Sequence, residues 1–151
     1  MIKIPAFLLS ISICTTVLSH TAIYSIGIMP GKADASHISR IDSLINKAYD
    51  YRNTDREKYL FYAHKADSLS KNTDYYAGRT KSLNMIGTYH LIEANYPKAF
   101  EYYQKALEIA EKTSLEDQIS AGLNYLGIIY FHLADYVKAC FHFNLQEWKM
   151  K

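Results

Sequence analysis

From Ser36 onward, apolar residues recur every three or four positions between short polar breaks, a rhythm that predicts six helices. Ile38, Ile41, Leu44, Ile45 and Ala48 share one face of the first, with Ser36 as its expected N-cap. Arg52-Asn53-Thr54-Asp55 is a polar break, and either Thr54 or Asp55 can cap a second helix running to Lys71. Tyr59, Tyr62, Ala63, Ala66 and Leu69 form its apolar stripe, and Asn72-Thr73-Asp74 closes the pair. A second pair is predicted over 75–93 and 96–112, with Pro97 at the start of its second helix, where the missing N–H costs nothing. The third pair covers 115–133 and 136 onward, with Asp135 as the cap between them. No stretch alternates as a half-buried strand would. The predicted fold class is all-α, a helical-repeat solenoid of about three helix pairs at 36–72, 75–113 and 115–151.

The pairs are copies. Leu83-Asn84-x-x-Gly87 returns 40 positions later as Leu123-Asn124-x-x-Gly127, and Ala94-x-Tyr96-x-Lys98-Ala99 as Ala134-x-Tyr136-x-Lys138-Ala139. A repeat of this length marks units that cannot bury their apolar faces alone and must stack. Gly87 and Gly127 fall inside helices, where glycine costs about 1 kcal/mol relative to alanine. The same cost accepted twice implies close helix approach, with Ala99 and Ala139 expected as the facing small surface and Tyr96 and Tyr136 plugging the turns. Leu83, Ile86, Leu123 and Leu126 are the large residues expected to bury against the neighbouring pair.

This pattern resembles the tetratricopeptide repeat (TPR). The third pair carries the family's positions as Leu123, Leu126, Gly127, Tyr130, Ala139 and Phe143, and the second as Leu83, Ile86, Gly87, Ala99, Tyr103 and Ala106. His90 stands where Tyr is usual, and Gln146 where a later Ala is usual. The first pair aligns only through Ala63 and Ala66 and lacks the glycine. The period of 40 exceeds the family's usual one, about 34, and the excess is expected in longer loops around Thr113–Asp117. HEAT and armadillo arrays have similar periods, but the Gly-to-Tyr and Gly-to-Ala spacings argue against them.

The resemblance implies that the first helix of each pair lines a concave groove. The implied groove residues are Lys81, Asn84, Thr88 and Leu91, then Ala121, Asn124, Ile128 and Phe131. Asn84 and Asn124 draw attention because a carboxamide offers donors and an acceptor to the backbone of an extended peptide. The alternative is that each asparagine bonds within its own repeat. The Lys–Asn clamp by which some TPRs hold a chain terminus would need residues other than Asn84, Thr88, Asn124 and Ile128, so chaperone-tail recognition is not expected.

The first 35 residues differ in character. Lys3 followed by a mainly apolar 4–18 reads as a secretory signal. Apolar character resumes at 23–29, so an uncleaved membrane anchor is the alternative, at the cost of His20 in mid-bilayer. A cleaved signal and export to the periplasm or cell envelope are favoured. Cleavage would leave Cys140 as the sole cysteine, expected as a small apolar helix residue. With 17 basic and 15 acidic residues interspersed, no basic run tracks phosphates, and nucleic acid is not an expected partner. The 14 tyrosines against six glycines and three prolines suit helices packed through bulky side chains.

No catalytic or cofactor motif is present: H-E-x-x-H, C-x-x-C, G-x-S-x-G and the P-loop are all missing. His90 with Glu93 provides too few ligands for a metal, and none is expected. The expected function is a non-catalytic scaffold for a peptide or protein partner. The Ile41-Asp42-Ser43-Leu44 entry and the Asn-x-x-Gly form also resemble the exported TPR regions of bacterial sensor histidine kinases and related regulators. That resemblance implies, as the alternative, a truncated sensory input region of a two-component sensor kinase or TPR-linked transcriptional regulator. Kinase activity does not carry over, since no kinase motif occurs. Phe141, Phe143, Leu145 and Trp148 would leave apolar surface at the last helix, which is expected to reflect truncation or, alternatively, self-association.

Overall fold

The computed structural model describes residues 34–149; the expected signal segment lies outside them except for its last two positions, as do the side chains of Tyr136, Cys140 and Trp148. Six helices follow in order: α1 (Ala35–Tyr51), α2 (Arg56–Ser70), α3 (Tyr76–Ile92), α4 (Tyr96–Lys112), α5 (Glu116–His132) and α6 (Tyr136–Lys149). The expected all-α helical repeat is what the structure shows. Each helix packs on the next in sequence, and α3 also touches both α1 and α5. The even-numbered helices make no such contact with one another among the described residues. The odd helices therefore form the inner, more crowded layer of the stack, and the even helices the outer one.

Local chemistry sets the boundaries. Asp34, not Ser36, caps α1 by accepting from the His37 N–H at 2.8 Å, and Ser36 instead donates its hydroxyl to Asp34. Asp34 has the extended backbone a cap requires, whereas Ser36 already lies within the helix. Asp55 caps α2 through the Lys58 N–H, Asn95 caps α4 through Lys98, and Asp135 caps α6 through Lys138. The Asn95 cap was not anticipated.

Three connections share one turn. Ala94, Ser114 and Ala134 take left-handed φ values of 55, 55 and 58°. The following N–H groups of Asn95, Leu115 and Asp135 reach back to the carbonyls of His90, Ala110 and Tyr130. This is a Schellman ending, built without the glycine that usually occupies the left-handed position. It also corrects the expected origin of the long period. The linkers at 93–95 and 113–115 are three residues each, and the extra length lies in helices of 17 residues.

The core runs through the stack as two clusters. Ile41, Leu44, Ile45 and Ala48 of α1 meet Tyr59, Ala63 and Ala66 of α2 and Met85 and Ile86 of α3. Ala99, Tyr103 and Leu107 of α4 meet Leu123, Leu126 and Ile129 of α5. Leu83, Ile86, Leu123 and Leu126 are buried, as the repeat implied. The two repeated glycines, Gly87 and Gly127, face rings rather than small residues. A Cβ on Gly87 would stand 2.7 Å from Cδ1 and Cε1 of Tyr103, and one on Gly127 2.6 Å from Cε1 of Phe143. The expected facing surface of Ala99 and Ala139 is thus replaced by an aromatic slot, repeated 40 residues apart.

Candidate functional site

The crowded inner layer encloses a cavity of about 160 Å³ that joins all three odd helices. From α3 come Lys81, Asn84, Met85 and Thr88, on successive turns of one face. The end of α1 adds Tyr49 and Arg52, α5 adds Gln118, Ala121 and Tyr125, and Tyr59 of α2 reaches in from behind.

Thr88 organises the floor. Its hydroxyl lies 2.9 Å from the Asn84 carbonyl, the helical back-bond open to threonine, and 3.1 Å from the Tyr103 hydroxyl. Tyr103 is fully buried and stacks on Tyr125, centroids 4.6 Å apart and planes within 4°. Tyr59 is buried on the other side and interacts with the same threonine. Burial pushes the Tyr59 and Tyr103 phenols well above the usual tyrosine range, and Tyr125 upward as well. Each of the three also feels the Arg52 cation, which opposes that shift. All three stay neutral at physiological pH, so Arg52 finds phenols before it but, among the described residues, no carboxylate within ion-pair distance.

Asn84 is only 5% exposed, and no donor among the described residues reaches its Oδ1. Leaving a buried acceptor unpaired costs about 1–3 kcal/mol. Gln118, across the cavity, has its Oε1 3.4 Å from the Thr80 hydroxyl and thereby ties α5 to α3. The floor is therefore a fixed polar surface with one unmet acceptor.

The cavity brings together Lys81, Asn84, Thr88 and Ala121 of the predicted groove positions, but not the others. Leu91 packs against the second core cluster instead. Asn124 and Ile128 are half-buried farther along α5, and Phe131 near its end is 57% exposed with His132 edge-on to it. Sequence reasoning missed Tyr49, Arg52, Tyr59, Met85, Gln118 and Tyr125. Gln118 and Tyr125 were within reach, since both lie one turn from Ala121 on the predicted face. Arg52 carried no such signal, because it sits in a polar break of the diverged pair.

A larger cleft of about 450 Å³ on the outer layer is also lined by cations, including Lys71, Arg79, Lys105 and Lys112. Most of these are already held: Lys71 by Asp67, Lys105 by Glu101 and Lys112 by Glu108. Among the described residues no group of three or more histidines, cysteines or carboxylates is placed to hold a metal. Likewise, no described helix is long and apolar enough to cross a membrane.

Over 82 residues the chain is 32% identical to the response regulator aspartate phosphatase I of Bacillus subtilis (strain 168), an alignment covering 54% of this chain and 21% of that protein. The chain thus spans about a fifth of the relative's length. No family model matches it, and no solved structure does.

Proposed function

We propose that this protein is a non-catalytic, TPR-like scaffold that holds an extended peptide or protein segment along the α1–α3–α5 face. The observation that carries the proposal is Asn84: a buried amide oxygen without a donor, set in a rigid cavity between the inner helices. A peptide N–H supplies the missing donor, and the asparagine amide offers donors in return. The cavity is lined by preorganised side chains, so little ordering entropy is lost on binding. Asn124 is the equivalent amide one repeat along and extends the same track. Export by the 1–35 segment would set this groove in the periplasm or cell envelope.

Likeness to a protein named for response regulators supports a second reading, in which the array is the sensory region of a two-component sensor kinase or TPR-linked regulator. An in-frame continuation of the downstream DNA into a membrane helix and kinase would favour this version.

The test is Asn84→Ala with Asn124→Ala, assayed on an array of N-acetylated, C-amidated octapeptides. Capture is expected to disappear while helicity and melting stay unchanged, because neither side chain supports a neighbour. If the double variant unfolds, the asparagines are structural and the groove proposal fails. It fails equally if the variant retains every peptide the parent captures.

A further inference from the structure

Resting on the peptide-groove reading above, we propose that the segment held there is acidic, with an internal Asp or Glu side chain seated between Arg52 and Lys81 and its flanking backbone N–H on Asn84. The cavity is lined by ten residues, of which two are cations and none is a carboxylate. Elsewhere the pairing of cations is mixed: Arg40, Lys47, Lys65 and Lys98 hold no carboxylate among the described residues, with Lys47 and Lys65 lying over aromatic rings, while others are paired. Lys58, Lys71, Lys105, Lys112, Lys138 and Arg56 each hold a carboxylate within ion-pair distance. Arg52 and Lys81 hold none among the described residues, although the chain has 15 acidic residues to offer. Two unneutralised cations lining one cavity are an attractive field for an anion, focused by the low-dielectric tyrosines around it.

Geometry selects the form of the anion. Lys81, Asn84 and Thr88 succeed one another along α3, so the two ends of this row are about 10 Å apart at 1.5 Å per residue. Lys81 stands at one end of that row of about 10 Å, with Asn84 and its unpaired oxygen one turn along. Arg52, at the end of α1, is the second cation lining the cavity. About three residues of extended chain cover the length of the row. An internal acidic residue brings its carboxylate to a cation and a backbone N–H to Asn84. Charge-assisted bonds of this kind are roughly twice as strong as neutral ones, which makes the carboxylate the anchor and the backbone contacts the register.

The experiment uses the intact protein on the same array of random octapeptides, with acetylated N-termini and amidated C-termini. A second set carries free C-termini. Retained sequences are expected to be enriched in Asp and Glu in the amidated set. Arg52→Gln with Lys81→Gln is expected to remove the enrichment and cut retention of acidic members about tenfold or more. Raising NaCl from about 50 to about 300 mM should also weaken retention of acidic members, since the shorter Debye length screens the attraction of the anion to the two cations. Both side chains are at the surface of the cavity rather than in the core, and unchanged melting of the variant confirms that the loss is local. Capture without acidic enrichment overturns this inference and leaves the peptide groove standing. Capture that requires a free C-terminus overturns the internal-residue assignment in the same way. No capture by the parent protein overturns both proposals.

Discussion

Replacing Gly87 with alanine sets two effects of opposite sign against each other. In an exposed helix the change stabilises by about 1 kcal/mol, because alanine has the higher helix propensity. Here the added methyl would lie 2.7 Å from two ring carbons of Tyr103, well inside the ~3.5–4 Å of ordinary carbon contact. The ring would have to retreat by about 1 Å, and it has nowhere to go. Its face is stacked on Tyr125 at 4.6 Å, its hydroxyl is 3.1 Å from that of Thr88, and it is fully buried. Overpacking of such a site costs about 1–3 kcal/mol, and a weakened stack or hydrogen bond adds about 1 more. The net expectation for Gly87→Ala is a loss of about 1–3 kcal/mol. At about 4 °C per kcal/mol, Tm falls by about 4–12 °C. Urea titration and thermal melting followed by circular dichroism measure it. Tyr103→Leu, though destabilising itself, should make the added methyl harmless, so the double variant is no less stable than Tyr103→Leu alone. A Gly87→Ala protein as stable as the parent, or more so, would refute the aromatic-slot account. Gly127→Ala should cost less, since Phe143 is only half-buried and can yield.

Two further predictions concern the turns and the histidines. Ala94→Gly and Ala134→Gly should each stabilise by about 0.5–1 kcal/mol, the left-handed penalty of about 1–2 less glycine's entropic cost, as measured by the urea midpoint. Unchanged or lower midpoints would mean that the alanines are not strained. His90 is held below the usual histidine pKa by burial, with Lys98 and His64 adding to the shift and Glu101 opposing it; His142 is lowered by burial alone. The Nδ1 of His142 is buried without a hydrogen-bond partner among the described residues, consistent with a neutral ring. A depressed folded-state pKa means stability is complete above the unfolded value of about 6.5 and is lost as pH falls through the lower folded value. Tm should therefore drop between pH 7 and 5, before the capping carboxylates Asp34, Asp55 and Asp135 titrate, since hydrogen bonds from His37, Lys58 and Lys138 hold them below the usual carboxylate range. His90→Phe with His142→Phe should flatten that slope while preserving the stacks on Tyr102 and Tyr130, and a slope that persists would assign it to other groups.

Periodicity made the six helices legible, because an apolar stripe at helical spacing has few competing explanations over 17 residues. Finer assignments needed backbone geometry. Asp34 and Ser36 are equally good caps by residue type, and only the extended backbone at Asp34 separates them. The long period was misassigned to loops because alanine and serine at Ala94, Ser114 and Ala134 gave no glycine signal for a tight left-handed ending. The candidate site was half legible. Lys81, Asn84 and Thr88 followed from the face of one helix, whereas Arg52 arrives from a different pair through the stacking of α1 on α3. Tyr59 was hidden by an exchange: at the positions where α4 has Ala99 and Tyr103, α2 has Tyr59 and Ala63, so the bulky ring enters one turn earlier.

The Schellman turns bear on how such a chain can change length. The linkers inside the second and third pairs and the linker between those pairs have the same three-residue form and the same left-handed residue. A segment such as 95–134 therefore begins and ends at equivalent points of the backbone, and a second copy spliced in tandem would meet its neighbours through surfaces that already fit one another. Each such copy would add one interface of known kind and move no existing helix. The length of the array is then open to gene duplication independently of the groove: Arg52, Lys81 and Asn84 would keep their places while copies accumulate beyond α5.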